Sequence, residues 1–446
     1  MGIPPLSAAY LHDRSRVDAV SRWYNAVWRW HFYAGMLCVP LVLWLSITGT
    51  IYLWKPQIEA LIDRPYAGIA TGPLAPPSRI AQAAVGAVPG SHFAKYQLPA
   101  APGDAVQVSV GDTRVYVNPS TLAILKTVGE QDRLMRLIFR LHGELMIGDP
   151  GSWIVETIAC WAIVMILTGL YLWWPRKGSG LAGVIWPRLH LGKRAFWRDI
   201  HAVTGIWVSM LALFLILTGL PWANVWGGYF KEVRAVTGLS DGPQDWTTGT
   251  HEGHHGMTMG PTKVDLTEID RVVPAAAGAH LAGPVLVAPP KAGGALWTAK
   301  SDSGDRPLRA DLGIDGGTGQ ILTHKDFADR HWVDRAVGYG IAAHEGQLFG
   351  LANQLLSMVA TMGLSLLAIS GAILWWRRRP IGLLGAPIPL SRPTMRAPLL
   401  ALITGLGILF PLFGLSLIAV LILEWVLFRR LPPVARWLGL RQRIAA

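Results

Sequence analysis

"HFYAGMLCVPLVLWLSITG" (His31–Gly49) and "HAVTGIWVSMLALFLILTG" (His201–Gly219) follow one pattern. In each, a His is followed four residues later by a Gly and seventeen residues later by a Thr-Gly pair, with only apolar and small residues between. A second pattern also occurs twice. "HGELMIG" (His142–Gly148) and "HEGQLFG" (His344–Gly350) each stand before another apolar run, closed by Thr168-Gly169 and Trp173-Trp174 in the first case and by Ser370-Gly371 and Trp375-Trp376 in the second. The Gly of the closing pair lies twenty-seven residues after the His in both, and the first Trp thirty-one. Gap-free coincidence over that length marks an internal duplication, which must be recognised before any fold is assigned.

The apolar runs decide the class. Crossing a bilayer takes roughly 20 apolar residues, and four windows supply them: Phe32–Trp54, Trp153–Trp174, Ala202–Trp226 and Gln354–Trp376. Glu156 is the one charge inside them. The chain of 446 residues is 51% apolar and 15% charged, against about 25% charged in an average soluble domain. A fifth run, Ala397–Phe428, is apolar until Glu424 and interrupted by Pro411. One crossing there would leave Arg429 and Arg430 on the outside; a tilted or re-entrant hairpin broken at Pro411 would return the basic tail to the inside. The first run is too long for a cleavable signal, has charged residues before it and has no small-residue cleavage site after it, so it reads as an anchor. Cys38 and Cys160 both fall inside apolar windows and read as small buried hydrophobes.

The net charge of +12 follows the membrane, which argues against a nucleic-acid partner. Arg14, Arg16, Arg22 and Arg29 precede the first run; Arg176, Lys177, Arg188, Lys193, Arg194 and Arg198 separate the second and third; Arg377, Arg378 and Arg379 follow the fourth. The positive-inside rule makes these segments cytoplasmic. The two long segments then lie outside, in the periplasm if the membrane is a bacterial inner membrane.

These outer segments repeat as well. "VYVNPSTLAIL" (Val115–Leu125) aligns without gaps to "LGIDGGTGQIL" (Leu312–Leu322). Each alternates, turns on Asn-Pro or Asp-Gly-Gly and resumes, which predicts a β-hairpin. Short helices are expected over Ser78–Val88 and Thr267–Ala276. The expected architecture is an α-helical integral membrane protein with an internally duplicated four-helix core, two periplasmic α+β domains and an extra C-terminal hydrophobic segment. Its divisions are a cytoplasmic N-terminus (1–22), helix one (23–54), outer domain one (55–140), a His-bearing segment with helix two (141–176), a basic loop (177–198), helix three (199–226), outer domain two (227–340), a His-bearing segment with helix four (341–379) and the C-terminal segment (380–446).

Ionisable residues in a membrane are costly, so each is a functional candidate. Topology sorts the four repeated histidines into two layers: His31 and His201 near the cytoplasmic face, His142 and His344 near the outer face. Each layer draws one His from each half. Two imidazoles facing across an apolar gap are how a b-type haem is held, and Gly35, Gly205, Gly143, Gly148, Gly346 and Gly350 would let a flat macrocycle approach the backbone. His31 to Thr48 spans about 25 Å of helix at 1.5 Å per residue, which separates the layers. The Trp pairs read as interfacial belt residues and the Thr-Gly and Ser-Gly pairs as close helix packing.

In these features the sequence resembles the PepSY-associated transmembrane helix family: the H-x-x-x-G…TG helices, the LHGEL and AHEGQLFG segments and the turn-centred hairpins, over about residues 23–379. Within that family the chain looks like the di-haem inner-membrane ferric-siderophore reductases. The resemblance implies PepSY-like outer domains, His31, His142, His201 and His344 as ligands of two bis-His b-type haems, an electron supply from quinol or a cytoplasmic donor, and a periplasmic ferric chelate or other metal complex as acceptor. It assigns no catalytic residue. The chain departs from the family in its C-terminal extension, about residues 385–446, and is expected to lack a flavin or nicotinamide domain, since no G-x-G-x-x-G follows a strand. A further departure is "HEGHHGMTMG" (His251–Gly260), where His251, His254, His255, Met257 and Met259 form either a copper-type loop, since imidazole and thioether suit copper, or a plain polar loop. His92, His280, His324 and His331 read as surface residues. Two other functions stay open: a transporter or uptake protein for a metal or small solute, and a non-enzymatic periplasmic sensor or peptide-binding regulator.

Overall fold

The computed structural model describes residues 8–175, 181–239, 264–291, 294–390 and 397–440, with side chains from residue 22 onward. In chain order the helices are α1 (Ala8–Leu53), α2 (Lys55–Asp63), α3 (Pro77–Gly86), α4 (Leu134–Gly143), α5 (Asp149–Trp173), α6 (Gly192–Gly219), α7 (Asn224–Thr237), α8 (Ile269–Gly278), α9 (Trp332–His344), α10 (Leu351–Arg378), α11 (Ala397–Leu409), α12 (Pro411–Leu423) and α13 (Pro432–Trp437). The strands are β1 (Phe93–Gln97), β2 (Val106–Val110), β3 (Thr113–Val117), β4 (Ile124–Gly129), β5 (Val285–Ala288), β6 (Leu296–Ser301), β7 (Ala310–Asp315) and β8 (Ile321–Asp326). The chain divides into a helical unit (Met1–Gly49, His142–Tyr229, Met358–Ala446) and a sheet unit (Thr50–Leu141, Phe230–Ser357).

Among the described residues, five helical stretches are long and apolar enough to cross a membrane: Arg22–Leu53, Asp149–Trp173, Gly192–Trp222, Leu351–Arg378 and Pro411–Phe428. Four coincide with the expected windows. The third starts and ends earlier than expected: the helix turns at Leu220–Trp222 and a new helix, α7, begins at Asn224. Pro221 explains the break, because it has no N–H to continue the ladder. The C-terminal run does break at Pro411, between α11 and α12, with Phe410 extended at the junction. The second piece, carried on by one irregular turn through Phe428, is itself long enough to span. The two pieces meet at bare backbone: a Cβ on Gly414 would stand 3.0 Å from the Gly407 carbonyl oxygen.

Within the helical unit, α12 packs on α5 around Cys160, Ile163, Leu220, Phe410 and Phe413. The Trp161 indole donates to Ser416 Oγ (3.0 Å) and that of Trp226 to the Leu409 carbonyl (3.0 Å). The C-terminal extension is thereby fixed to α5 and α7. Cys38 and Cys160 are free and buried, as expected. Glu156, the charge inside the second span, is 2% exposed. Its carboxylate accepts the backbone N–H of Val225 (3.0 Å) and Trp226 (3.1 Å) in the first turn of α7. Those donors have no partner within their own helix, so the acid caps a helix that the Pro221 break created.

In the sheet unit, helices α3 and α8 form where short helices were expected, and β3–β4 and β7–β8 pair as the two expected hairpins. One expectation changes. The two outer segments are not separate sheets; they join edge to edge in one antiparallel sheet of order β4-β3-β2-β1-β5-β6-β7-β8. The seam pairs Tyr96 with Val287 and Gln97 with Leu286. Each four-stranded half alone would leave β1 or β5 as an open edge, and open edges invite uncontrolled pairing. One core serves both halves: Ile80, Ala84, Val108 and Val115 bury together with Ile269, Val272, Trp297 and Ile314. The helices lock as well, since Asp270 of α8 accepts Ser78 N (2.8 Å) and Ser78 Oγ (2.7 Å) at the start of α3.

Candidate functional site

Each mouth segment ends a short helix on its His: His142 lies one residue before the end of α4, and His344 is the last residue of α9. The Gly six residues after each His adopts positive φ, +68° at Gly148 and +57° at Gly350, directly before α5 and α10. Gly346 is also left-handed, at +73°. Only glycine takes that conformation without cost. At these three positions the glycine therefore serves the turn between the His-bearing helix and the next helix. His344 belongs to the sheet unit and His142 to the helical unit.

His31 and His201 meet inside the helical unit. Their ring centroids are 6.4 Å apart and the rings stand at 79°. Each Nδ1 is held by a hydroxyl from a different helix: His31 Nδ1 lies 3.0 Å from Thr168 Oγ1, and His201 Nδ1 lies 3.1 Å from Ser370 Oγ and 3.2 Å from the Leu367 carbonyl. His142 is held the same way, with Nδ1 3.0 Å from Thr48 Oγ1. The following glycine completes each contact. A Cβ on Gly169, Gly49 or Gly371 would stand 3.2, 3.2 or 3.3 Å from Cε1 of His31, His142 or His201. Three of these pairs, Thr48-Gly49, Thr168-Gly169 and Ser370-Gly371, read from sequence as helix packing alone, are thus imidazole seats. Their fixed spacing from the preceding His was the signal; nothing local in the pair announces it.

Gly35 and Gly205, one turn after the facing histidines, behave differently. A Cβ there would meet Met165 Cε or Leu367 Cδ2 at 3.7 Å, ordinary contact. Packing between helices does not require either glycine. The Trp pairs also gain a role: the Trp173 indole donates to the Val184 carbonyl (2.9 Å) and that of Trp375 to the Leu384 carbonyl (2.8 Å). Each pins the loop that follows its helix, and the loops turn on Gly183 (φ +79°) and Gly385 (φ +85°). Between them, in chain order, Asp199 is 1% exposed and accepts from Arg188 (2.7 Å) and Arg198 (2.8 Å).

The His251–Gly260 loop, with His251, His254, His255, Met257 and Met259, lies outside the described residues. Among the described residues no cluster of three or more His, Cys, Asp or Glu forms a metal site. His92, His280 and His324 are exposed; His331 accepts from Val333 N (3.3 Å) and caps α9.

The sequence pattern of the PepSY-associated TM region matches residues 28–378, most of the chain. The chain belongs to the PepSY-associated TM family. No curated protein matches it. The matched stretch of this PepSY-associated TM protein starts three residues before His31 and ends at the last residue of α10, so it holds all four repeated histidines and the hydroxyl seats of His31, His142 and His201.

Proposed function

We propose that this protein is a haem-b reductase of a bacterial inner membrane, with its N-terminus cytoplasmic and its sheet unit in the periplasm, built from a duplicated helical core. It passes electrons from quinol or a cytoplasmic donor to a ferric chelate or other metal complex outside. The observation that carries this reading is the facing pair His31 and His201. Two metal–imidazole bonds of about 2 Å, plus roughly 1 Å from each ring nitrogen to its centroid, put the centroids of a bis-imidazole pair about 6 Å apart. The pair stands at 6.4 Å. With Nδ1 of both rings engaged, Nε2 is the nitrogen each presents to a metal. Gly35 and Gly205, which packing does not require, suit the approach of a flat ring. A bound haem would supply one-electron redox chemistry; His31 and His201 would hold it through their ring nitrogens, with ring planes fixed by Thr168 and Ser370. His142 and His344 are the ligand candidates for a second haem, on the sequence repeat alone. One electron reduces the chelated ferric iron to ferrous, and the iron leaves the chelator because the ferrous ion is held more weakly by hard oxygen ligands.

A transporter needs ionisable groups placed along its path. The one acid within the second span, Glu156, is occupied as a helix cap, which does not favour that reading.

The test is a reduced-minus-oxidised visible spectrum of detergent-purified protein expressed with ample haem supply, with pyridine haemochrome quantitation. Sharp low-spin b-type bands at about two haems per chain are expected, falling by one haem in His201→Ala. A colourless protein overturns the reading.

A further inference from the structure

The hydroxyls that seat the histidines have their own protons committed. Thr168 Oγ1 donates to the Val164 carbonyl one turn back (2.7 Å), Thr48 Oγ1 to that of Trp44 (2.9 Å) and Ser370 Oγ to that of Leu367 (3.1 Å). A hydroxyl has one proton and two lone pairs. With its proton spent on a carbonyl, its oxygen accepts from the imidazole, so Nδ1 of the histidine carries the hydrogen. At His201 the conclusion is forced twice, because the Leu367 carbonyl within 3.2 Å of Nδ1 has no proton to give. Neutral imidazole protonated at Nδ1 is unprotonated at Nε2.

We propose that the couplets Thr168-Gly169, Ser370-Gly371 and Thr48-Gly49 are positioning elements for His31, His201 and His142: the hydroxyl fixes the Nδ1–H tautomer, the glycine fixes the ring plane, and together they set the basicity and orientation of the nitrogen offered to haem iron. The inference rests on the haem reading above. A hydrogen bond accepted from the distal N–H makes a metal-bound imidazole a stronger donor and holds its orientation. A stronger donor favours the ferric state. Removing the acceptor therefore raises the midpoint potential of the haem concerned, and releasing the ring changes the angle between the two imidazole planes.

The experiment compares the parent with Thr168→Val, Thr168→Ser and Ser370→Ala, using Ser209→Ala as a control. Ser209 makes the same kind of backward bond, to the Gly205 carbonyl at 2.6 Å, with no histidine attached to it. Haem content, spectroelectrochemical midpoint potentials and the low-temperature EPR signals of the ferric protein are measured. Thr168→Val and Ser370→Ala are expected to move one haem's potential upward and shift its EPR signal, while Thr168→Ser and Ser209→Ala match the parent. Loss of that haem in Thr168→Val, restored in Thr168→Ser, is the stronger form of the same result. Unchanged potentials and EPR in Thr168→Val with both haems bound overturn this inference alone. A colourless parent overturns the haem reading and this inference with it.

Discussion

Replacing Glu156 tests whether its carboxylate is structural. In Glu156→Ala the N–H groups of Val225 and Trp226, now held at 3.0 and 3.1 Å, lose their acceptor in an apolar surrounding. Hydrogen bonds to charged groups contribute about 1.5–3 kcal/mol each, and an acid at a helix N-terminus adds roughly 0.3–1 kcal/mol. Against this stands the desolvation that the buried carboxylate no longer suffers, several kcal/mol for an ion. The net loss is then about 2–4 kcal/mol. At roughly 2–4 °C per kcal/mol for a domain of about 200 residues, the melting temperature falls by roughly 4–16 °C. Glu156→Gln keeps one acceptor oxygen and sets an NH2 group against the second N–H, so it falls between Ala and the parent. The assay is thermal unfolding in detergent, followed by tryptophan fluorescence, with haem content measured on the same samples. The expected order is parent, Gln, Ala, with the haem spectrum at low temperature unchanged. A Glu156→Ala protein as stable as the parent refutes the cap argument. Stability intact together with abolished metal accumulation in cells would move Glu156 onto a transport path.

Three other substitutions probe separate features. Gly371→Ala places a Cβ 3.3 Å from His201 Cε1; the ring must give by a few tenths of an ångström, so one haem band should broaden or lose intensity, and an unchanged spectrum counts against the seat. Burial pushes the Glu130 carboxyl up, but Arg114 at 2.8 Å and Arg133 at 3.3 Å outweigh that, and its pKa lies below the usual range. A depressed folded-state pKa contributes stability above the unfolded pKa of about 4.3, lost as pH falls through the folded value; Glu130→Gln should cost roughly 1–2 kcal/mol at pH 7 and little at pH 3, read from urea melts, and an equal cost at both refutes it. Val287→Asp puts a charge at a fully buried seam position and should cost several kcal/mol; hydrogen exchange should quicken at β1 and β5 first, and uniform exchange would show that the halves do not depend on the seam.

Periodicity and length made the spans legible, because a run such as Phe32–Trp54 admits few other readings. The hairpins at Val115–Leu125 and Leu312–Leu322 were legible because turn residues sit between alternating runs. The seam Tyr96–Val287 was not. It pairs strands almost two hundred residues apart, and neither short strand differs locally from an ordinary edge. The four histidines stood out through repetition, yet their seats did not. Thr168-Gly169 has the composition of any close helix crossing, and only the third dimension shows an imidazole lying on it. Glu156 was conspicuous as a charge, but its partners exist only because Pro221 ends a helix that hydropathy alone would have continued to Trp226.

The sharing of seats among α1, α4 and α5 has a geometric consequence. α1 bears His31 at one end and, seventeen residues on, Thr48, which seats His142 rather than His31. It is a ruler whose two marks belong to different centres. Inserting one residue between Gly35 and Trp44 would advance the far mark by about 1.5 Å and swing it by about 100°, so His31 and Thr48 could not both keep their places. Inserting seven would nearly restore the angle and lengthen the ruler by about 10 Å. The distance from His31 to the seat of His142 is thus counted in residues along a single helix.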